Sequence, residues 1–261
     1  MNTQDDAPTP AQILTRPDGA TIAYRQLDGD GPGVVFLGGF MSDMEGSKAV
    51  ALEDHCRATN RAFLRFDYTG HGQSSGDFAD GTIGAWADDA TFAIEELTRG
   101  PQVLVGSSMG GWIMLLVALR LKQRIAGLIG IAAAPDFTED LIDRELTTEQ
   151  RAVMQRDGKV EVACDYGDEP YTITQALIDD GREHLLLGKP IRLDLPVRLI
   201  QGIKDADVPW QTALRIQEML ESTDVEVTLV KDGGHRLSEA HDLDRLMGTL
   251  EALLKVLNQG P

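Results

Sequence analysis

Chemistry in this chain is most legible at Gly106-Ser107-Ser108-Met109-Gly110. Only Ser108 stands at the centre of a G-x-S-x-G pattern. The buried-strand sequence "QVLVG" ends there and the apolar helix sequence "MGGWIMLLVALRL" begins. A serine in that setting occupies a tight turn, with small residues needed on either side because the flanking backbones nearly touch. The helix N-terminus points its dipole at any negative charge that develops beside it. Ser107 then faces away and reads as structural. A serine hydroxyl is a weak nucleophile until a base takes its proton, and the base needs an orienting acid. Two downstream loops offer both. "QGIKDADVP" carries Asp205 and Asp207, and "KDGGHRLS" carries His235 among glycines. The residues by themselves leave the choice between the two aspartates open.

The elements that must position these groups alternate along the chain. "AQILTRPDGATIAYRQLDGDGPG" reads as two strands around an R-P-D-G-A turn. "VVFLGG" (Val34–Gly39), "AFLRFD" (Ala62–Asp67), "QVLVG" and "IAGLIGIAA" (Ile125–Ala133) are apolar strands of the kind buried on both faces. Helical patterns fall between them near Lys48–Thr59, over Ile83–Leu97 and after Ser108. Strand and helix in turn predict an α/β fold on a mostly parallel sheet. The rhythm breaks between Pro135 and Asp194, a stretch about twice what one crossover needs. It holds a helical piece near Glu139–Gln155 and a hairpin pattern, "KVEVACDYGDEPYTIT". This reads as a cap inserted over one end of the sheet at about 136–194. The strand "PVRLIQG", a helix near Trp210–Glu221, the strand "VEVTLV" and a helix near Glu239–Leu257 complete the chain. Residues 1–10 read as a disordered lead-in and 11–261 as one domain.

These motifs together resemble the α/β-hydrolase fold enzymes over nearly the whole chain. The family's acid motif, G-x-x-D-x-x-V-P, is matched by Gly202-Ile203-Lys204-Asp205-Ala206-Asp207-Val208-Pro209. The resemblance therefore selects Asp205, with Asp207 as fallback. The family's order of serine, acid, histidine is kept, and Gly234-His235 fits its late histidine. "DYTGHGQSSG" (Asp67–Gly76) matches a further family loop, which makes His71 structural. The resemblance implies a mostly parallel eight-stranded sheet flanked by helices. It also implies a catalytic Ser108, Asp205 and His235, with an oxyanion hole made by the N–H groups of Met109 and Phe40. Many members carry His-Gly where this chain has Gly38-Gly39, but backbone donors do the work there. No metal or organic cofactor is expected. "GGFMSDMEGSKAVAL" and "YTITQALIDDGREHLLL" are similar to the branch that includes an acyl-protein thioesterase and acyl-glucuronide esterase. An ester or thioester of an acyl group is the substrate this implies.

Met41, Trp112 and Trp210 are candidate substrate-binding residues in an apolar pocket, with Met44, Phe137 and Met154 nearby. Plain core packing is the competing reading for each. A peptidase or amidase on the same triad is the alternative activity. Glu139, Asp140, Asp143, Asp165, Asp168 and Glu169 would then be candidates to hold a substrate amine. A non-catalytic binding module is a third reading. The net charge of −18, from 24 basic and 42 acidic residues among 261, argues against nucleic acid and anionic membranes. Cys56 and Cys164 form no disulfide framework or metal-ligand spacing, and His55, His184 and His241 lack partners at such spacing. The polar start, "MNTQDDAPTPAQ", has no signal-peptide pattern, and no apolar run is long enough to span a bilayer. A cytoplasmic location is the expectation.

Overall fold

The computed structural model describes residues 10–162 and 170–259, the Asp143 side chain excepted. The lead-in therefore falls outside the described residues up to Ala7, Pro8 and Thr9, as do Cys164, Asp165, Asp168 and Glu169. The elements are β1 (Gln12–Thr15), β2 (Thr21–Leu27), β3 (Asp30–Leu37), α1 (Ser47–Ala58), β4 (Arg61–Phe66), α2 (Ile83–Leu97), β5 (Gln102–Ser107), α3 (Met109–Arg120) and β6 (Ile125–Ile131). A π-helical turn (Thr138–Asp143) follows, then α4 (Thr148–Asp157), β7 (Lys159–Val162), β8 (Tyr171–Thr174) and α5 (Gln175–Glu183). The chain closes with β9 (Val197–Gly202), α6 (Gln211–Met219), β10 (Val225–Val230) and α7 (Ala240–Gln259).

Eight strands form one sheet in the order β1-β2-β4-β3-β5-β6-β9-β10, antiparallel through the β1–β2 and β2–β4 pairs and parallel elsewhere. The central strands are apolar on both faces because helices cover both. Every residue of β5 is buried, whereas the edge strand β10 alternates in exposure. One core gathers α2 and α3, and the other gathers α1 and α7. The parallel register aligns Leu37 with Gly106, Ser107 with Ile131, Ile131 with Ile200 and Gly202 with Val230. The loops after β3, β5, β6, β9 and β10 therefore open on one rim, where open α/β sheets bind their ligands.

Between β6 and β9 the helical piece expected near Glu139–Gln155 is divided into the π-helical turn and α4. Thr147 and Gln150 form a capping box, each side chain bonding the other's backbone N–H (3.2 and 2.9 Å), and this starts α4 afresh. Strands β7 and β8 pair antiparallel, Val162 opposite Tyr171, as a ribbon separate from the main sheet. The return of this segment is strapped to the exit of β6. Asp136, in the left-handed region at φ 62°, accepts the N–H groups of Leu186 and Leu187 at 2.8 Å each. Burial pushes its carboxyl up; those two bonds oppose the shift. Among the described residues no helix is long and apolar enough to cross a membrane.

Candidate active site

Ser108 sits between β5 and α3 with φ 55° and ψ −121°, a conformation non-glycine residues seldom adopt. Its own backbone holds the turn. Its N–H donates to the Ile131 carbonyl (2.9 Å), and its carbonyl accepts from Gly111 (2.8 Å) and Ala134 (3.0 Å). The flanking glycines are required by contact. A β-carbon at Gly106 would strike the Gly110 carbonyl, and one at Gly110 would strike the carbonyls of Leu37 and Gly38. The side chain of Ser108 is half-buried; Ser107 is more deeply buried, though it too borders the cleft over the site.

The structure brings Ser108, His235 and Asp205 into one line. His235 Nε2 lies 3.1 Å from Ser108 Oγ, and Nδ1 lies 2.9 Å from Asp205 Oδ2. Asp205 also accepts the N–H groups of Asp207 and Val208 on Oδ1 (both 2.9 Å) and Gln201 Nε2 on Oδ2 (2.8 Å). Burial alone would raise its pKa. The hydrogen bond and charge of His235, with the backbone donors, outweigh that and hold it below the ordinary carboxylate range. An ionised Asp205 only accepts, so His235 Nδ1 must carry a proton and Nε2 is left as the acceptor facing the serine hydroxyl. Asp207 Oδ2 is 3.9 Å from Nδ1, outside hydrogen-bond reach. Asp205, Asp207 and His235 are the one group of three among the described residues whose atoms lie close enough to hold a metal ion. The four lone-pair sites of Asp205 already serve four donors, which does not fit a ligand role.

The loop after β3 lies against the serine. A β-carbon on Gly39 would be 3.4 Å from Ser108 Cβ. Neither the Phe40 N–H nor the Met109 N–H is used by an acceptor among the described residues. The Asp67–Gly76 loop supports this one from behind. Tyr68 donates its hydroxyl to the Gly38 carbonyl (3.4 Å), and Asp67 accepts from Met44 N–H (2.6 Å) and Gln73 N–H (2.8 Å). His71 is buried against Tyr68, Phe78 and Trp86, and burial pushes its pKa down to about 4. Lys48 was not anticipated. Its Nζ donates to the carbonyl of Arg236, next to His235 (2.5 Å), and burial together with the Arg236 charge lowers its pKa to about 8. A sequence separation of 188 hides that contact from any local pattern.

A cleft of about 1100 Å³ opens over Ser108 and His235. Phe137, Leu141, Ile142, Leu146, Tyr171 and Ile173, all from the β6–β9 segment, give it an apolar wall. Met41 lines its mouth, 45% exposed at φ 53°. Trp112 and Trp210 do not line it, contrary to expectation. Trp112 lies one turn into α3, is fully buried, and donates its indole N–H to the His184 carbonyl (3.1 Å). Trp210 begins α6, beyond Val208, which supplies that wall instead. Met44 and Met154 are buried core. Glu139 pairs with Arg182, and Asp140 with Arg144 and Arg215, so neither stands ready for a substrate amine. Cys56 is buried and its thiol is pushed up to about 12, which leaves it unreactive.

A serine elbow on the C-terminal rim of a mostly parallel eight-stranded sheet defines a class of enzymes. A family model described as "Alpha/beta hydrolase family" matches residues 34–247, and the chain belongs to that family of hydrolases. It is 38% identical over 251 residues to the mitochondrial palmitoyl-protein thioesterase ABHD10 of Bos taurus, covering 96% of this chain and 82% of that protein. The solved structure of alpha/beta hydrolase domain-containing protein 10 from mouse is similar, with a TM-score of 0.88 at 37% identity, covering 95% of this chain and all of that one. A solved structure from Agrobacterium vitis S4 has a TM-score of 0.90 at 39% identity, covering 95% and 99% of the two chains. The expectation of a cytoplasmic location is overturned, because relatives matched over 96% of this chain are named mitochondrial. The polar character of the first residues does not decide where a chain resides.

Proposed function

We propose that this hydrolase cleaves esters or thioesters of acyl groups through an acyl-enzyme on Ser108. The carrying observation is the hydrogen-bonded line from Asp205 through His235 to Ser108, opening on an apolar cleft. His235 Nε2 takes the serine proton as Oγ attacks the acyl carbon. Asp205 keeps the imidazole in the reactive tautomer and stabilises its charge. The N–H groups of Met109 and Phe40 receive the oxyanion; one such donor is worth about 2.7–4 kcal/mol in the barrier. His235 returns the proton to the leaving alcohol or thiol. Water then attacks the acyl-enzyme, His235 accepts its proton, and the acid and free serine form. The segment at about 136–194 serves as the cap, its apolar wall taking the acyl chain. The thioesterase name carried by relatives supports an acyl substrate. A net charge of −18 disfavours nucleic acid as a partner.

The test is initial rates on matched oxyesters and thioesters of rising chain length, with Ser108→Ala as the blank. Rates that climb to medium or long chains, with thioesters competing, support the reading. Rapid turnover of aminoacyl amides with inert acyl esters overturns it in favour of a peptidase.

A further inference from the structure

The ring of Phe40 stands where four other rings converge. Phe78 and Trp86 approach from the sheet side with centroids at 4.8 and 6.0 Å. Phe137 and Tyr171 approach from the cap side at 5.7 and 5.6 Å. All four contacts are edge-to-face, the favoured geometry for aromatic pairs. The sheet-side half is tied into the fold. Phe78 and Trp86 stack on each other at 5.7 Å, and the buried Trp86 donates its indole N–H to the Thr69 carbonyl (3.1 Å). On the cap side, Phe137 packs edge-to-face on Trp112, whereas Tyr171 belongs to a two-stranded ribbon paired with no strand of the main sheet.

The loop that carries Phe40 has few other handles. Gly38 and Gly39 precede it without side chains, and Met41 follows it, exposed. Tyr68 holds the Gly38 carbonyl, Asp67 holds the Met44 N–H, and a turn closed by Ser42 N–H on the Gly39 carbonyl (3.1 Å) spans Phe40, whose ring is the large side chain that ties this turn to the surrounding protein. An oxyanion donor is effective only within a narrow range, about 2.7–3.1 Å from the developing charge. A ring clamped on four sides can hold its own peptide to that tolerance; a ring clamped on three can tilt.

We infer that Tyr171 is a positioning residue. Through the Phe40 ring it holds the oxyanion donor in place, so hydrolysis on Ser108 depends on the cap ribbon even for acyl groups too short to fill the cleft. This rests on the assignment of the Phe40 N–H in the reaction proposed above.

The experiment compares Tyr171→Ala and Tyr171→Phe with the parent chain on p-nitrophenyl acetate and p-nitrophenyl octanoate, with thermal unfolding alongside. A cleft wall and a positioning residue make different demands on the acetate. The expected result for Tyr171→Ala is a kcat lower by about tenfold or more on both esters, with KM for the acetate within about twofold. Tyr171→Phe, which keeps the ring, restores kcat. If Tyr171→Ala does not unfold cooperatively, Tyr171→Leu keeps apolar bulk without a ring edge and carries the same expectation. An active parent whose alanine or leucine variant keeps kcat on the acetate and raises KM only on the octanoate overturns the inference and leaves the esterase reading standing. A parent without Ser108-dependent turnover of either ester overturns the esterase reading and this inference with it.

Discussion

Replacing Asp205 with asparagine changes one atom of the site and reverses its hydrogen-bond logic. The amide oxygen belongs at Oδ1, where two backbone N–H groups converge at 2.9 Å. The amide nitrogen then sits at Oδ2, facing Gln201 Nε2 at 2.8 Å and His235 Nδ1 at 2.9 Å. To accept from that nitrogen, His235 must carry its proton on Nε2, which then cannot take the proton of Ser108. Restoring the reactive tautomer would set donor against donor in a site where the acid is fully buried. One or two buried donors left unmade cost about 1–3 kcal/mol each. Losing the carboxylate also removes the charge that stabilises the imidazolium, worth roughly 4 kcal/mol for charges about 4 Å apart near a protein surface. Since each 1.36 kcal/mol is tenfold, even the smallest sum of these contributions, about 5 kcal/mol, lowers kcat by about 10⁴. The assay is kcat on a p-nitrophenyl ester above the Ser108→Ala blank, with urea unfolding of each variant. Asp207→Asn is the companion variant and should stay within about tenfold, because its carboxylate is beyond hydrogen-bond reach of Nδ1. The folded pKa of Asp205 is lowered, so the stability it contributes is present above the ordinary carboxylate range and is lost as pH falls through the folded value. The asparagine variant should lack that part of the acid dependence. A kcat within tenfold of the parent for Asp205→Asn, or a larger loss for Asp207→Asn, refutes the assignment of the acid.

Other consequences are equally direct. Ser108→Ala should fold and abolish labelling by a fluorophosphonate, whereas Ser108→Gly should unfold at higher urea by about 1 kcal/mol, because glycine accepts φ 55° without strain; equal stability of the two variants would count against strain at the elbow. Gly110→Ala should destabilise by about 1–3 kcal/mol and lower activity together, since its β-carbon meets the carbonyls that end β3; a fully stable, active variant would mean that contact yields easily. The buried His71, with a folded pKa near 4, is neutral in the fold but binds a proton in the unfolded chain below about 6.5. Its contribution, on the order of a few kcal/mol, is therefore complete above about pH 6.5 and is lost as pH falls toward 4. His71→Phe should flatten urea stability between pH 6.5 and 4, and an unchanged slope would refute this account.

Much of this protein is local and can be read from short stretches of its residues. Apolar runs such as Val34–Leu37 and Val103–Val105 have to be strands buried on both faces, and Ile83–Leu97 has to be a helix, because periodicity reports which faces meet water. The turn at Ser108 was legible because its glycines are demanded by backbone contacts a few residues away. The two acid candidates were legible as residue types on one loop, and the family motif ranked Asp205 first, but nothing in the residues themselves separated them. Asp205 and Asp207 differ by two positions in sequence, and only the folded loop decides which oxygen meets His235 and which stays 3.9 Å away. The break at Thr147 was present as a T-x-x-Q capping box inside an otherwise helical stretch, where a continuous helix was the simpler reading. The cleft was legible only in part: Met41 and Phe137 line it as anticipated, whereas Trp112 and Trp210 do not. Trp112 and Tyr171 are both large aromatics near the site, yet one is sealed against the His184 carbonyl and the other faces the cleft. Which surface a side chain presents to a cavity depends on how the β6–β9 segment lies across the sheet. That is set by long-range contacts such as Asp136 to Leu186 and Leu187, fifty residues apart. The same holds for Lys48 beside the histidine loop and for the four rings around Phe40. Sequence periodicity encodes burial along one element, whereas the meeting of distant elements is a property of how they pack in three dimensions.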